Sequence, residues 1–271
     1  MIAFPNVSPE IFSIDLLGFK LSIRWYALSY IAGFLAASLL MKHFVKKKLV
    51  WRFKIPPMDA EASDRMLTYL IMGVILGGRV GYVFFYNFEY YISNPLEIIK
   101  VWEGGMSFHG ALLGIIFGTY LFSKKKEVST FFMLDIIACV APIGIFLGRI
   151  ANFINGELIG KVTDVSWYVI FPMVDTLPRH PSQIYEAILE GLVLFLILNI
   201  LVFKKKYKVG SSSCLFLIYY GIFRISAEIF REPDIHLGYL FGFLSMGTML
   251  SFLMILSGLV ILNILKKKNE I

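Results

Sequence analysis

The sequence is poor in cysteine, histidine and charge, and each shortage excludes a class of protein. Only two cysteines, Cys139 and Cys214, and four histidines occur in 271 residues. There is no CxxC pair and no His/Cys cluster, so neither a disulfide framework nor a zinc site is supported, and we expect no metal and no cofactor. Charged residues make up 17% of the chain and hydrophobic residues 58%. This composition is typical of a membrane protein and excludes a single soluble core.

The first 20 residues lack the basic region that opens a secretory signal peptide. They carry two acidic residues, Glu10 and Asp15, and two prolines. We therefore expect this segment to be retained and the first apolar run to act as a membrane anchor.

Long apolar runs dominate what is present. A helix needs about 20 apolar residues to cross a bilayer, and the runs are continuous rather than alternating, which argues against a transmembrane β-barrel. The sequence predicts an all-α integral membrane protein in which residues 1–271 form one domain. The seven predicted spans are Leu21–Phe44, Met66–Tyr86, Met106–Phe122, Phe131–Arg149, Gln183–Phe203, Cys214–Phe230 and Leu237–Leu265.

Basic residues are concentrated in alternate loops. Met41–Arg65, "SKKKE", "KKKYK" and the tail "KKKNE" together hold 17 of the 26 lysines and arginines. The other loops and the N-terminus hold five. Because positively charged loops stay in the cytoplasm, this asymmetry predicts an N-terminus outside and a C-terminus inside. The net charge of +7 is then explained by topology and anionic lipid, and no nucleic-acid partner is needed.

The longest outer loop is Ile150–Ser182. It contains "WYVIFP", a short β-prone run between turn-forming residues. We expect residues 150–182 to form a small extracytoplasmic cap between the fourth and fifth spans.

The predicted topology places the ionisable and polar residues of six helices at one depth, in the outer leaflet. A charge at the bilayer centre costs about 2.5–3.5 kcal/mol on the insertion scale, so such residues need a reason to be there. One alternative is that each arginine reaches the headgroups or pairs with a glutamate. The residues of this layer are Arg24, Tyr26, Arg79, His109, Arg149, Asn152, His180, Gln183, Tyr185, Glu186, Glu190, Tyr220, Arg224, Glu228 and Arg231.

Spacing within this layer places several side chains on common helix faces. Tyr220, Arg224 and Glu228 are four residues apart, and Arg149 and Asn152 are three apart. A second i,i+4 pair, Glu186 and Glu190, has like charges and therefore requires cationic partners. The glycines of "GGRVGY" and "HGALLG" predict close approach between the second and third spans.

These residue types favour phosphate chemistry. A guanidinium binds phosphate oxygens with two parallel donors and stays charged, and a histidine can accept a proton near neutral pH. The sequence shows no Ser–His–Asp arrangement and no P-loop. The layer is thus interpreted as an anion clamp with a proton acceptor, and the nucleophile is expected to come from a substrate.

Five motifs together resemble the bacterial prolipoprotein diacylglyceryl transferase family. They are "GGRVGY", "GGMSFHG", "GRIANFINGE", "RHPSQIYEA" and "REPD", in a region from Trp25 to Asp234. The resemblance implies transfer of the diacylglyceryl group of phosphatidylglycerol to the lipobox cysteine thiol of a preprolipoprotein, with release of glycerol 1-phosphate. It also implies a bacterial inner-membrane enzyme whose active site faces the outer leaflet.

The resemblance assigns roles to individual residues. Catalysis is expected from His109, as the base, and from Arg149 and Arg224. Residues that contact phosphatidylglycerol are expected to be Tyr26, Arg149, Asn152, Arg224 and Glu228. Supporting roles are expected for Glu157 and Gly160, which continue the "GRIANFINGE" motif, and, from their place in the polar layer, for Arg79, His180 and Tyr220. The chain departs from the family pattern at Ala151, Ile159 and Lys161, which leaves the roles of Ile159 and Lys161 open.

Two other classes of protein remain as alternatives. A phospholipid or anion transporter would need polar groups through both leaflets, whereas the inner halves of the spans are apolar, and no inverted repeat is visible. A receptor for signal peptides would need the arginines but not His109. A transferase is the preferred reading, followed by another phospholipid-processing enzyme.

Overall fold

The computed structural model describes residues 2–5, 7–8, 10–16, 19–46, 58–101, 104–204, 208–233, 238–239 and 242–267. The fold in this part of the chain is mostly helical, and each of the seven predicted spans coincides largely with helix. The helices are α1 (Trp25–Lys46), α2 (Ala60–Tyr86), α3 (Phe88–Ser93), α4 (Phe108–Lys126), α5 (Thr130–Asn155), α6 (Ser182–Glu186), α7 (Leu194–Lys204), α8 (Ser211–Glu228) and α9 (Met246–Lys267). A 3₁₀ turn occupies Pro95–Ile99, and a π-helical segment, Ala187–Val193, joins α6 to α7.

Five of these helices are long and apolar enough to cross a membrane. The candidate spans in the described part of the chain are Trp25–Lys46, Glu61–Tyr86, Thr130–Asn155, Ser182–Ile200 and Met246–Lys267. The remaining two predicted spans correspond to α4 and α8. These helices have 19 and 18 residues; α4 ends in three lysines and α8 carries Arg224 and Glu228. Length and composition therefore establish a multi-pass membrane protein but not the number seven.

The predicted start of the first span was wrong, and the fold is not purely helical. Residues expected to begin that span form a strand, β2 (Phe19–Arg24), which pairs antiparallel with β1 (Glu10–Leu16). The helix begins only at Trp25. Apolar Leu21 and Ile23 alternate with Ser22 and Arg24, and this two-residue period is typical of a strand.

Two other predicted boundaries also shift. The fourth span was predicted to end at Arg149, but α5 continues through Asn155, and Gly156 ends the helix with a left-handed backbone of φ 65°. The last span was predicted from Leu237, which lies outside the described residues, but α9 begins only at Met246. Gly238 and Gly242 have φ values of 57° and 82°, which are incompatible with a helix at these two positions. We use "the cap" below for residues 156–181.

Glycines set the closest helix pairs, as the motifs predicted. A Cβ on Gly81 of α2 would lie 2.5 Å from the Cα of Gly110 on α4, so these backbones touch. A Cβ on Gly33 of α1 would lie 3.1 Å from the Cα of Gly144 on α5. Small residues allow such close approach between membrane helices, and both contacts fix the axial register of the helices that line the site.

The bundle has two chemically different ends. At one end, which we call the lysine end, Lys42 near the end of α1 pairs with Asp64 near the start of α2 at 2.7 Å. The carboxylate of Asp135 in α5 accepts hydrogen bonds from Gly210 and Ser213 at the start of α8. At the other end, the site end, Phe108 at the start of α4 stacks on Tyr220 of α8. Consecutive major helices therefore run in alternate directions.

Candidate functional site

Three arginines and three glutamates meet at the site end and form what we call the ionic cluster. They come from the end of α5, from α6 and the π-helical segment, and from the end of α8 and the turn after it. The members are Arg149, Glu186, Glu190, Arg224, Glu228 and Arg231. Their formal charges cancel, as the burial of six ions requires.

Arg149 lies where the ionic cluster meets open space. Its Nη1 lies 3.1 Å from Oε2 of Glu186, and its Nη2 donates to Oε2 of Glu190 at 3.0 Å. Both carboxylates are fully buried, whereas the Arg149 side chain is 13% exposed. A guanidinium has five N–H donors, so each terminal nitrogen keeps a second hydrogen for another acceptor. The two glutamates thus orient Arg149 without saturating it.

Arg224 and Arg231 complete the cluster from the opposite side. Nη1 of Arg224 donates to Oε1 of Glu186, and its Nη2 lies 2.6 Å from Oε2 of Glu228, one helical turn away. Arg231 donates to the same Glu186 oxygen at 3.2 Å. Glu186 therefore contacts three guanidinium groups. The expected contact between Arg224 and Glu228 is present, and the cationic partners predicted for Glu186 and Glu190 are found.

The helix that carries the two buried glutamates is irregular at this point. Glu190 lies in the π-helical segment, where Gly191 packs so closely that a Cβ would lie 2.6 Å from the Cβ of Phe146 on α5. A π-helical turn changes the direction of side chains along a helix and is frequent at functional sites. Here it coincides with the residue that holds Arg149.

Asn152 and Glu157 link the end of α5 to the cap. The side-chain amide of Asn152 donates to the carboxylate of Glu157 at 3.0 Å. The backbone carbonyl of Glu157 accepts a hydrogen bond from Nε2 of Gln183 at 2.5 Å. Gly160 forms a β-bridge with Arg231, and a Cβ there would lie 2.7 Å from the Cβ of His180. Only glycine fits at this position, so Gly160 has a clear packing role.

His109 and Tyr220 lie on adjacent helices below the ionic cluster. Tyr220 is fully buried, with its ring stacked on Phe108 at 4.4 Å between centroids. His109 follows Phe108 in the first turn of α4. Both of its ring nitrogens are buried and have no hydrogen-bond partner within the described part of the chain. A buried polar atom without a partner is costly, so packing alone does not explain a histidine at this position.

Arg79 and His180 lie outside the ionic cluster. The Arg79 guanidinium donates to the backbone carbonyls of Glu97, Ile98, Gly104 and Gly105 and lies 5.0 Å from the ring centre of Tyr91. It therefore orders the segment that leads into α4. His180 belongs to the cap.

The cap has its own polar network. Trp167 donates through Nε1 to the Tyr185 hydroxyl at 2.7 Å, and that hydroxyl lies 3.2 Å from Nδ1 of His180. Burial lowers the pKa of the His180 ring below its ordinary value of 6.5. Beside it, hydrogen bonds from Arg179 lower the pKa of the Asp175 carboxyl, and this ion pair fixes the loop.

A cavity of about 730 Å³ opens beside Arg149 and Asn152. One wall is a face of α5 that runs from Asn152 to Thr130, which is about 33 Å at 1.5 Å per residue. That length matches the roughly 30 Å hydrocarbon core of a bilayer. The remaining lining residues come mainly from α1, α4 and α8 and are largely apolar. Tyr26 lines the mouth of this cavity.

Sequence reasoning proposed Arg149, Asn152, Arg224 and Glu228 as site residues, and the structure places all four at the ionic cluster or the cavity mouth. It did not include three members of the cluster among the proposed site residues: Glu186, Glu190 and Arg231. The like-charged spacing of the two glutamates was the available signal. For Arg231, which follows α8, the available signal was the alternative that each arginine of the layer pairs with a glutamate, and its contact with Glu186 agrees with that alternative.

A family model and two known proteins that resemble this chain share one description. The sequence model of the family described as prolipoprotein diacylglyceryl transferase matches residues 12–264. A protein of Rickettsia felis, named phosphatidylglycerol–prolipoprotein diacylglyceryl transferase, is 49% identical over 259 residues, covering 95% of this chain and 96% of that protein. A protein of Brucella anthropi with the same name is 48% identical over 261 residues, covering 95% and 92%.

Proposed function

We propose that this chain, which belongs to the prolipoprotein diacylglyceryl transferase family, transfers the diacylglyceryl group of phosphatidylglycerol to a cysteine thiol of a preprolipoprotein. The carbon–oxygen bond between the diacylglyceryl group and the phosphate breaks, and a carbon–sulfur bond forms. The thiol loses its proton, and glycerol 1-phosphate leaves with the electron pair of the broken bond. The product is a thioether-linked diacylglyceryl cysteine.

The observation that carries this proposal is the position of Arg149 at the mouth of an apolar cavity. The cavity suits acyl chains, and Arg149 with Asn152 suits the phosphate at their head. Arg149 is held in place by two buried glutamates, so its remaining donors are oriented before the lipid arrives. Fixed positive charge at the place where a leaving phosphate gains charge is an effective form of transition-state stabilisation.

Arg224 and Glu228 support the same task from α8. Arg224 shares Glu186 with Arg149, so the two guanidinium groups are held as a unit. Glu228 contacts the other terminal nitrogen of Arg224 and orients it. Tyr220 supports this arrangement from one turn below, and Gly160 and Glu157 connect it to the cap. Arg79 and His180 act at a distance, by ordering the loop before α4 and the cap respectively.

His109 is proposed as the group that accepts the thiol proton. Its two ring nitrogens are buried and have no partner in the described residues, so no hydrogen bond among these residues competes for either nitrogen. A free cysteine thiol has a pKa of about 8.5, and a base therefore raises the thiolate fraction at neutral pH.

The protein is proposed to lie in the inner membrane of a bacterium with seven spans, the N-terminus outside and the site in the outer leaflet. Residues 1–271 then form one membrane domain with an extracytoplasmic cap, and the lysine end faces the cytoplasm. Single cysteines at positions 126, 205 and 267 should react with an impermeant thiol reagent only after permeabilisation. Cysteines at positions 94 and 175 should react in intact cells; the reverse pattern contradicts this orientation.

The decisive test of the reaction uses purified protein, phosphatidylglycerol with labelled acyl chains, and a lipobox peptide. We expect label on the peptide cysteine and release of glycerol 1-phosphate, with no transfer to the same peptide carrying serine instead of cysteine. Lipid binding without product would instead favour a transporter or a signal-peptide receptor.

A further inference from the structure

The polar mouth of the cavity has two walls, and α1 forms the one opposite Arg149. The contact between Gly33 of α1 and Gly144 of α5 fixes the register of these antiparallel helices. From that point both helices rise toward the site end by 1.5 Å per residue. Tyr30 is therefore level with Leu147, one residue from Gly148, and Tyr26 is level with Ala151, one residue from Asn152. Arg149 lies between these two levels. The same cavity is lined by Tyr26 and Tyr30 of α1 and by Gly148, Arg149 and Asn152 of α5.

The space between the two walls is open. A Cβ built on Gly148 would meet nothing within 4 Å, so no group in the described part of the chain fills the space at this position, next to Arg149. Arg149 and Asn152 supply the polar groups on the α5 side. On the α1 side, the polar side chains that line the cavity are Tyr26, Ser29 and Tyr30.

The tyrosine hydroxyls retain hydrogen-bonding capacity. The Ser29 hydroxyl donates to the backbone carbonyl of Tyr26 at 2.7 Å, so its proton is used within the helix. The hydroxyls of Tyr26 and Tyr30 lie 3.1 Å apart and share one hydrogen bond, in which either can be the donor. The pair therefore keeps one hydroxyl proton to donate and has lone pairs to accept. It carries no charge.

We propose that Tyr30, together with Tyr26, binds the hydroxyl groups of the phosphatidylglycerol headgroup. This contact makes Tyr30 a specificity-determining residue. The inference rests on the proposed function, and it assigns the α1 wall to the part of the lipid beyond the phosphate. Each glycerol hydroxyl both donates and accepts, which matches a neutral hydroxyl pair. The phosphate only accepts, and it is matched by Arg149 on the α5 wall.

The test compares two lipids with identical acyl chains, phosphatidylglycerol and phosphatidic acid, which lacks the glycerol headgroup. Their dissociation constants are measured with wild type, Tyr30→Phe and Tyr26→Phe. Tyr30→Phe keeps the ring and removes only the hydroxyl. Tyr69→Phe is the matched control, because Tyr69 of α2 packs edge-to-face on Phe122 and is not among the residues that line this cavity.

Loss of one neutral hydrogen bond should weaken binding of phosphatidylglycerol by Tyr30→Phe about 2–12-fold. Binding of phosphatidic acid should not change, and Tyr26→Phe should shift the ratio of the two constants in the same direction. Equal losses for both lipids, no change for either, or the same shift in Tyr69→Phe would overturn the proposal. Product formation by wild type is assayed separately, so a chain that binds selectively but transfers nothing refutes the proposed function and not the headgroup contact.

Discussion

The two ends of the helix bundle contain the same kinds of ion pairs in opposite surroundings. At the lysine end, Arg65 pairs with Glu61 one turn away, and the two side chains are 46% and 75% exposed. At the site end, Arg224 pairs with Glu228 at the same spacing, and the side chains are 7% and 10% exposed. The first pair can be hydrated by water when it breaks, whereas the second cannot.

This difference shows that spacing alone does not define a site. An exposed i,i+4 pair contributes about 0.3–0.5 kcal/mol. A buried ion whose partner is removed leaves an uncompensated charge, which costs about 3–5 kcal/mol. Leaving one ion of the cluster without a partner would therefore destabilise the fold strongly. A binding role for the arginines gives a reason why such a cluster is present.

The largest expected effect on the transfer rate comes from replacing His109. It distinguishes the role of this residue from that of the arginines at the site end. His109→Asn keeps a polar side chain but removes the proton acceptor. It should slow transfer by about 10²–10⁴-fold while lipid binding stays nearly intact, and raising the pH toward the thiol pKa should recover part of the loss. A dissociation constant and a pH–rate profile measure the two effects. If lipid binding is lost as well, His109 is a binding or structural residue.

The next effect is on the free energy of unfolding, which should differ between variants at the two ends of the bundle. Arg224→Ala should lower the free energy of unfolding by about 3–5 kcal/mol, because Glu186 and Glu228 lose a buried partner. Arg65→Ala should change it by less than about 1 kcal/mol. Denaturant unfolding of both variants in detergent measures the difference. Similar losses in the two variants would show that the ends are equivalent.

A smaller effect is expected from Glu228→Gln, which keeps the size of the side chain but removes its charge. Arg224 retains Glu186, so the fold should persist, while loss of one charge-assisted hydrogen bond should lower kcat/KM about 10–100-fold. Glu61→Gln at the lysine end is the matched control and should have no effect on transfer. Full activity of Glu228→Gln would remove the orienting role.

Much of this organisation could be predicted from the sequence, and the failures have physical causes. Hydropathy located the helices, and charge asymmetry distinguished their two ends. Depth could not distinguish Arg79 from Arg149, because both were placed in the same layer. Arg79 binds backbone carbonyls of the segment before α4, whereas Arg149 binds buried glutamates. Those partners are brought together only by tertiary packing. The same reason explains why Arg231 was not proposed.

The cap should show the smallest effect, a mild pH dependence. The folded state lowers the pKa of His180, so its contribution to stability is present above the ordinary value of about 6.5 and decreases as the pH falls below it. The Asp175–Arg179 pair should persist through this range, since the lowered pKa of Asp175 places its loss below about pH 4. Thermal unfolding at pH 7.5 and 5.5 should show a small loss in wild type and less in His180→Gln. Greater stability of wild type at pH 5.5 would contradict this assignment.

The most direct test of the account compares thioether formation by Arg149→Ala and Arg65→Ala with wild type, using phosphatidylglycerol and a lipobox peptide. Arg149→Ala removes the guanidinium at the cavity mouth and should reduce the rate at least about 10²–10³-fold. Arg149→Lys keeps the charge but loses the planar fork and should recover only part of it. Arg65→Ala, at the lysine end, should retain a rate within about twofold of wild type, as expected for an exposed pair of little energetic weight. A folded Arg149→Ala protein with the wild-type rate would contradict the claim that the reaction takes place at the site end.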